Sequence, residues 1–72
     1  MIPSPFERLA RAVRERRRLL GIGSSELARD MGVSDHLYSA LERGEYDPRS
    51  LHLLARQALS KKLNLSLDVL LN

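Results

Sequence analysis

From Phe6 onward, apolar residues fall at three- and four-residue steps, Phe6, Leu9, Ala10, Val13 and Leu20, with Arg17 on the same face. That period is the mark of a helix with one buried side. Ser4-Pro5-Phe6-Glu7 reads as its start: Ser4 can cap an orphan N–H, Pro5 suits the first helical position, and Glu7 can complete a capping box. The spacing predicts a helix from about Pro5 to Leu20, ended by Gly21. A second, from Gly23 or Ser24 to Met31, turns Leu27, Ala28 and Met31 inward, and Gly32 follows as a left-handed residue. Ser34 then caps a third, with Tyr38 and Leu41 inward and Gly44 at its end. Glu45-Tyr-Asp-Pro48 is a turn, because Asp bonds to local backbone and Pro48 steers Asp47 away from the α region. Leu51, Leu54, Ala55, Ala58, Leu59 and Leu63 mark a fourth helix from about Arg49 to Lys62, with Asn64 as its stop. Ser66 to Leu71 reads as a short fifth helix, capped by Ser66 and carrying Asp68 in its first turn. Nothing reads as a strand, so the expectation is an all-α domain of five short helices.

At 72 residues the chain has room for one domain, near the size at which a single core is just adequate. Without cysteine it has no disulfide, no thiolate zinc site and no cysteine nucleophile. Its apolar runs reach two or three residues, far short of the roughly 20 that cross a bilayer, and Met1-Ile-Pro-Ser-Pro does not resemble a signal peptide. No membrane association and a cytoplasmic location are expected. His36 and His52 have no companion at ligand spacing, and no Ser/His/Asp set is evident. We therefore expect no metal, no cofactor and no catalysis.

Charge changes the picture through its placement. The chain carries a formal +3 and a pI near 10.0, yet the sum hides three unlike segments. Six arginines against two glutamates give residues 1–23 a charge of +4, and residues 49–72 carry +3. Residues 24–48, with Arg29 and Arg43 against Glu26, Asp30, Asp35, Glu42, Glu45 and Asp47, carry −4. The Arg16-Arg17-Arg18 run reads as a solvated helix face, because its helix has no apolar stripe left over for lipid.

One constellation is more specific than any of these. It consists of Arg14 and Arg17 ahead of Gly21-Ile22, then Glu26-Leu27-Ala28, Gly32-Val33-Ser34, Leu41-Glu42-Arg43-Gly44, Pro48 and Ser66-Leu67-Asp68. In this register the chain resembles the lambda-repressor-like helix-turn-helix domains of the Cro/C1 (Xre) type, over about Leu9 to Leu71. The resemblance implies a single domain, residues 1–72, with the motif at about 24–43, and an ion pair between Arg17 and Glu42. It further implies a transcriptional regulator that binds double-stranded DNA as a homodimer on a palindromic operator. The third helix would lie in the major groove with Asp35, His36, Leu37 and Ala40 toward base edges, while Arg14, Ser24, Ser34, Ser39, Arg43 and Arg49 fall near phosphates. Leu67, Leu70 and Leu71 could form the dimer contact, which would hold two recognition helices about 34 Å apart; a core role for them is the alternative.

The chain also departs from that family. Ser24 stands where Gln is usual, Gly23 where Ser or Thr is favoured, and none of the four base-facing residues can make an Arg-like bidentate contact with guanine. Asp35 could accept from cytosine, His36 could donate to guanine, and Leu37 or Ala40 could touch a thymine methyl. Glu45 and Asp47 repel phosphate. If about four phosphates are neutralised per chain, the log–log salt slope is about −3.6, which implies weak binding per monomer. The acidic middle segment keeps a second expectation open, a protein-interaction module that keeps the fold and uses the third-helix face for a protein partner. An antitoxin would combine both roles. Tyr38 belongs either to the core, with its hydroxyl at the rim, or to a protein-binding patch with Leu37 and Tyr46.

Overall fold

The computed structural model describes residues 6–67. Within them the chain is all-helical: α1 (Glu7–Leu19), α2 (Ser24–Met31), α3 (Asp35–Glu42), a single 3₁₀ turn at Pro48–Ser50, and α4 (Leu53–Leu63). No strand occurs among the described residues. Leu70 and Leu71, most of the expected fifth helix, and the Ser4 cap lie outside them.

All four helices end in the same way. An N–H just past the helix reaches back five residues to a carbonyl: Ile22 to Arg17, Val33 to Ala28, Glu45 to Ala40 and Leu65 to Ser60, each at 2.9–3.1 Å. The chain can turn back in this way because the residue before each donor takes a positive φ, at Gly21, Gly32, Gly44 and Asn64. At Gly32, φ is 74° and only two residues separate it from α3, so the turn depends on a conformation that side chains resist. Ser34 then starts α3 by accepting the Leu37 N–H at 3.1 Å.

The core unites one face of every helix. Leu9 and Val13 of α1, Leu27, Ala28 and Met31 of α2, Tyr38 and Leu41 of α3, and Ala55, Leu59 and Leu63 of α4 form one buried cluster with Leu51 and Leu67. α2 packs most closely on α4 and next on α3, and α1 closes the bundle against α3 and α4. The result is compact, with a radius of gyration of 11.0 Å.

Several expectations are corrected. Leu20, assigned to the inner face of α1, is 45% exposed, because α1 stops at Leu19 and the chain turns away before another full turn is made. α4 starts four residues later than the apolar spacing suggests. Pro48-Arg49-Ser50 forms a separate 3₁₀ turn capped by Asp47, and Leu51 is extended (φ −70°, ψ 145°), so the helix begins only after His52. His52 is accordingly the residue just before the helix. Leu54, taken as inward, is 77% exposed. The Arg16-Arg17-Arg18 run is not a uniformly solvated face either: Arg16 and Arg17 are half-buried and only Arg18 is exposed.

Candidate nucleic-acid interface

α3 leaves its first turn and outer side in solvent. Asp35, His36 and Ser39 are exposed, Leu37 and Ala40 are half-buried, and Leu37 also packs against the core cluster. Ser24 is exposed at the start of α2. The Ser34 hydroxyl already accepts the Leu37 N–H, but its second lone pair and its proton remain available.

The C-terminal end of α3 is tied to α1. Arg17 grips Glu42 bidentately, Nε to Oε2 at 2.6 Å and a terminal nitrogen to Oε1 at 3.2 Å, and its other terminal nitrogen donates to the Ile22 carbonyl at 3.0 Å. Both side chains are mostly covered. Burial works against the Glu42 carboxylate, but the hydrogen bonds from Arg17, the adjacent Tyr38 hydroxyl and the charges of Arg17 and Arg14 outweigh it and hold the carboxyl below its usual range. The same hydrogen bond to Glu42 raises Arg17 against the effect of burial. Tyr38 is fully buried, hydroxyl included, and that hydroxyl lies beside the pair without a hydrogen bond of ordinary geometry. Burial, reinforced by the Glu42 carboxylate, pushes the phenol far above its normal value.

Arginines of α1 also serve the ends of other helices, a role that spacing alone did not reveal. Arg14 donates to the Glu42 carbonyl at 2.6 Å and Arg16 to the Leu63 carbonyl at 2.9 Å, so each satisfies an orphan acceptor at the negative end of α3 or α4. Arg14 is thus half-buried and engaged. It does not stand free on the α3 face.

The other two arginines expected near phosphate are exposed but paired. Arg43 Nε donates to Glu45, two residues on. Arg49 Nε donates to Asp47 Oδ1 at 3.1 Å, while the same oxygen accepts the Arg49 N–H at 2.9 Å, and the guanidinium lies 5.7 Å from the centre of the Phe6 ring. The side-chain and backbone hydrogen bonds from Arg49 hold Asp47 below the usual carboxylate range. A signal for both pairs is present in the sequence as arginine and acid two apart across a turn, Arg43-x-Glu45 and Asp47-x-Arg49.

Leu67 is buried in the core cluster, and Leu70 and Leu71 lie outside the described residues. Beside α3, Val33, Leu37, Tyr46, Leu51 and Leu54 contribute to a shallow cavity of about 240 Å³. Among the described residues no three His, Asp or Glu side chains converge on a point where a metal could sit, and no helix is long and apolar enough to cross a membrane.

Comparison of the chain with protein-family models, with curated proteins and with solved structures returned no match. The class to which the molecule can be assigned is therefore the one its own architecture defines, a small all-α domain in which a short capped helix is presented to solvent beside an arginine-clamped core.

Proposed function

We propose that this chain is a sequence-reading, double-stranded DNA-binding regulator of the lambda-repressor-like type, acting in the cytoplasm as a homodimer on a palindromic site. In this reading α2, Gly32 to Ser34 and α3 are a helix-turn-helix, and a fifth helix completes the fold beyond Ser66. The observation that carries the proposal is α3 itself. Its capped first turn is exposed at Asp35 and His36, and its far end is immobilised by the Arg17–Glu42 grip and the Arg14 bond. A helix held rigidly by one end, with its N-terminal side chains free, is what reading base edges in a major groove requires. Asp35, His36, Leu37 and Ala40 would meet bases, and Ser24, Ser34, Ser39, Arg43 and Arg49 would meet phosphates.

Selection from a random duplex library at about 50 mM salt, where phosphate contacts are strongest, tests this. The expected result is an enriched two-fold sequence whose preferred base changes in His36→Ala at one position per half-site. No enrichment, or the same preference after His36→Ala combined with Arg43→Ala, overturns the reading.

One observation favours a second reading, a protein-interaction module. The face beside α3 holds its arginines in ion pairs and offers an apolar hollow at Leu37, Tyr46 and Leu54. Leu37→Arg would then abolish capture of a protein partner, whereas retained capture would exclude this face.

A further inference from the structure

Four charges at alternate positions bracket the corner between α3 and the 3₁₀ turn, two acids flanked by two arginines: Arg43, Glu45, Asp47 and Arg49, symmetric about Tyr46. Each arginine is bound through Nε to the acid nearest it. We propose that Glu45 and Asp47 hold Arg43 and Arg49 in reserve, so that these two carboxylates set how strongly this face takes a DNA phosphate. The inference rests on the DNA-binding reading above and concerns the regulation of that same site.

The pairing is a local choice. Arg8, Arg18 and Arg29 are also exposed, yet none has an acidic partner among the described residues; both cations at this corner do, as do Arg11 with Glu7 and Lys62 with Asp30 elsewhere. Asp47 is also fixed in place, because its Oδ1 accepts the Arg49 N–H at the start of the 3₁₀ turn as well as the guanidinium. The carboxylate therefore does not drift away when an anion approaches. Both arginine side chains remain more than half exposed, and each is bound to its acid only through Nε, so a phosphate can approach the terminal nitrogens. It meets a pair of no net charge and must break the guanidinium–carboxylate bond to gain a full contact. A cation already paired with a carboxylate neutralises a phosphate less fully and so releases fewer of the counterions condensed on the DNA, which shrinks the gain from counterion release. Exposed pairs of this kind contribute little to folding, so the acids can be changed without threatening the fold.

The experiment measures anisotropy of a labelled mixed-sequence duplex with the full chain across about 50 to 200 mM salt. Glu45→Gln removes the charge from a side chain that is more than half exposed, and Asp47→Asn keeps the oxygen that accepts the Arg49 N–H. The double variant is expected to bind about tenfold more tightly at the low-salt end, with a slope steeper by up to about 1.8, or about 0.9 for each arginine released. A double-mutant cycle separates release from general repulsion: the gain of Glu45→Gln must vanish in an Arg43→Gln background, and that of Asp47→Asn in an Arg49→Gln background. If the wild type binds and the variants gain nothing, or if the gain survives loss of the arginine, the inference is overturned and the DNA-binding reading stands. If neither wild type nor variants bind any duplex, both fall together.

Discussion

At the scale of single residues, the least expected feature is a buried hydroxyl. Tyr38 occupies an inward position of α3, and an aromatic ring there fills the space between α1 and α3. Its oxygen is enclosed beside Arg17 and Glu42 without a hydrogen bond of ordinary geometry. An enclosed hydroxyl that has given up water without gaining a partner carries a desolvation penalty of about 1–3 kcal/mol, whereas a bonded one contributes about 0.5–1.5. Tyr38→Phe removes the oxygen and leaves the ring. Urea denaturation is therefore expected to show the variant as stable as the parent or more stable by about 1 kcal/mol. A loss of that size in its place would mean that the hydroxyl bonds to Glu42 in solution.

At the scale of elements, the helix ends were the most legible part of the sequence, because a stop is local chemistry. Gly21, Gly32, Gly44 and Asn64 each stand where a helix ends with positive φ, and Ser34 caps where a short polar side chain precedes an apolar period. The start of α4 was not legible. Its cause is the Pro48–Ser50 turn, which continues the apolar spacing through Leu51 and so hides a break in the helix. The inner and outer assignment of Leu54 failed too, since the buried line of α4 runs through Ala55, Leu59 and Leu63 and Leu54 lies to one side of it, in solvent. The candidate site divides in the same way. The exposed α3 residues followed from helical phase, but the partners of Arg14, Arg43 and Arg49 depend on rotamers and tertiary approach, which periodicity does not encode. Gly32 allows a direct test of the turn. A Cβ there meets nothing within 4 Å, so the cost of substitution is conformational only. Gly32→Ala is expected to lose about 1–2 kcal/mol in chemical denaturation, and Gly32→Asn less, because Asn visits the left-handed region more readily. Asn64 already does so in this chain, at φ 53°. Equal losses for Ala and Asn would point to a packing role for Gly32 instead.

For the whole molecule, the basic surplus is directed inward as much as outward. Three arginines of α1 bond to carbonyls near the ends of helices, at Ile22, Glu42 and Leu63, so a pI near 10.0 says less about polyanions than it suggests. The same arrangement makes stability depend on acid. Glu42 holds its proton less tightly in the folded state than its ordinary value of 4.5, so as pH falls the unfolded chain binds that proton first. The stabilisation from Glu42 is therefore complete above the unfolded value and is lost as pH drops through the lower, folded one. Asp47 is displaced in the same direction by Arg49, but it lies at the surface, where solvent screens the pair and little stability is at stake. Protonation also leaves the twelve Lys and Arg side chains with fewer opposing charges, which adds repulsion in the same pH range. The melting temperature is accordingly expected to be flat near neutrality and to fall below about pH 5, the range in which an ordinary glutamate begins to take up its proton. Glu42→Gln isolates the clamp from the general repulsion. It keeps an acceptor for Arg17 but cannot titrate, so it should melt lower than the parent near pH 7, and the difference should close on the acid side. If the two melting curves remain parallel down to about pH 3, below the ordinary carboxylate range, the acid sensitivity arises elsewhere and the Arg17–Glu42 grip is not what fastens α3 to α1.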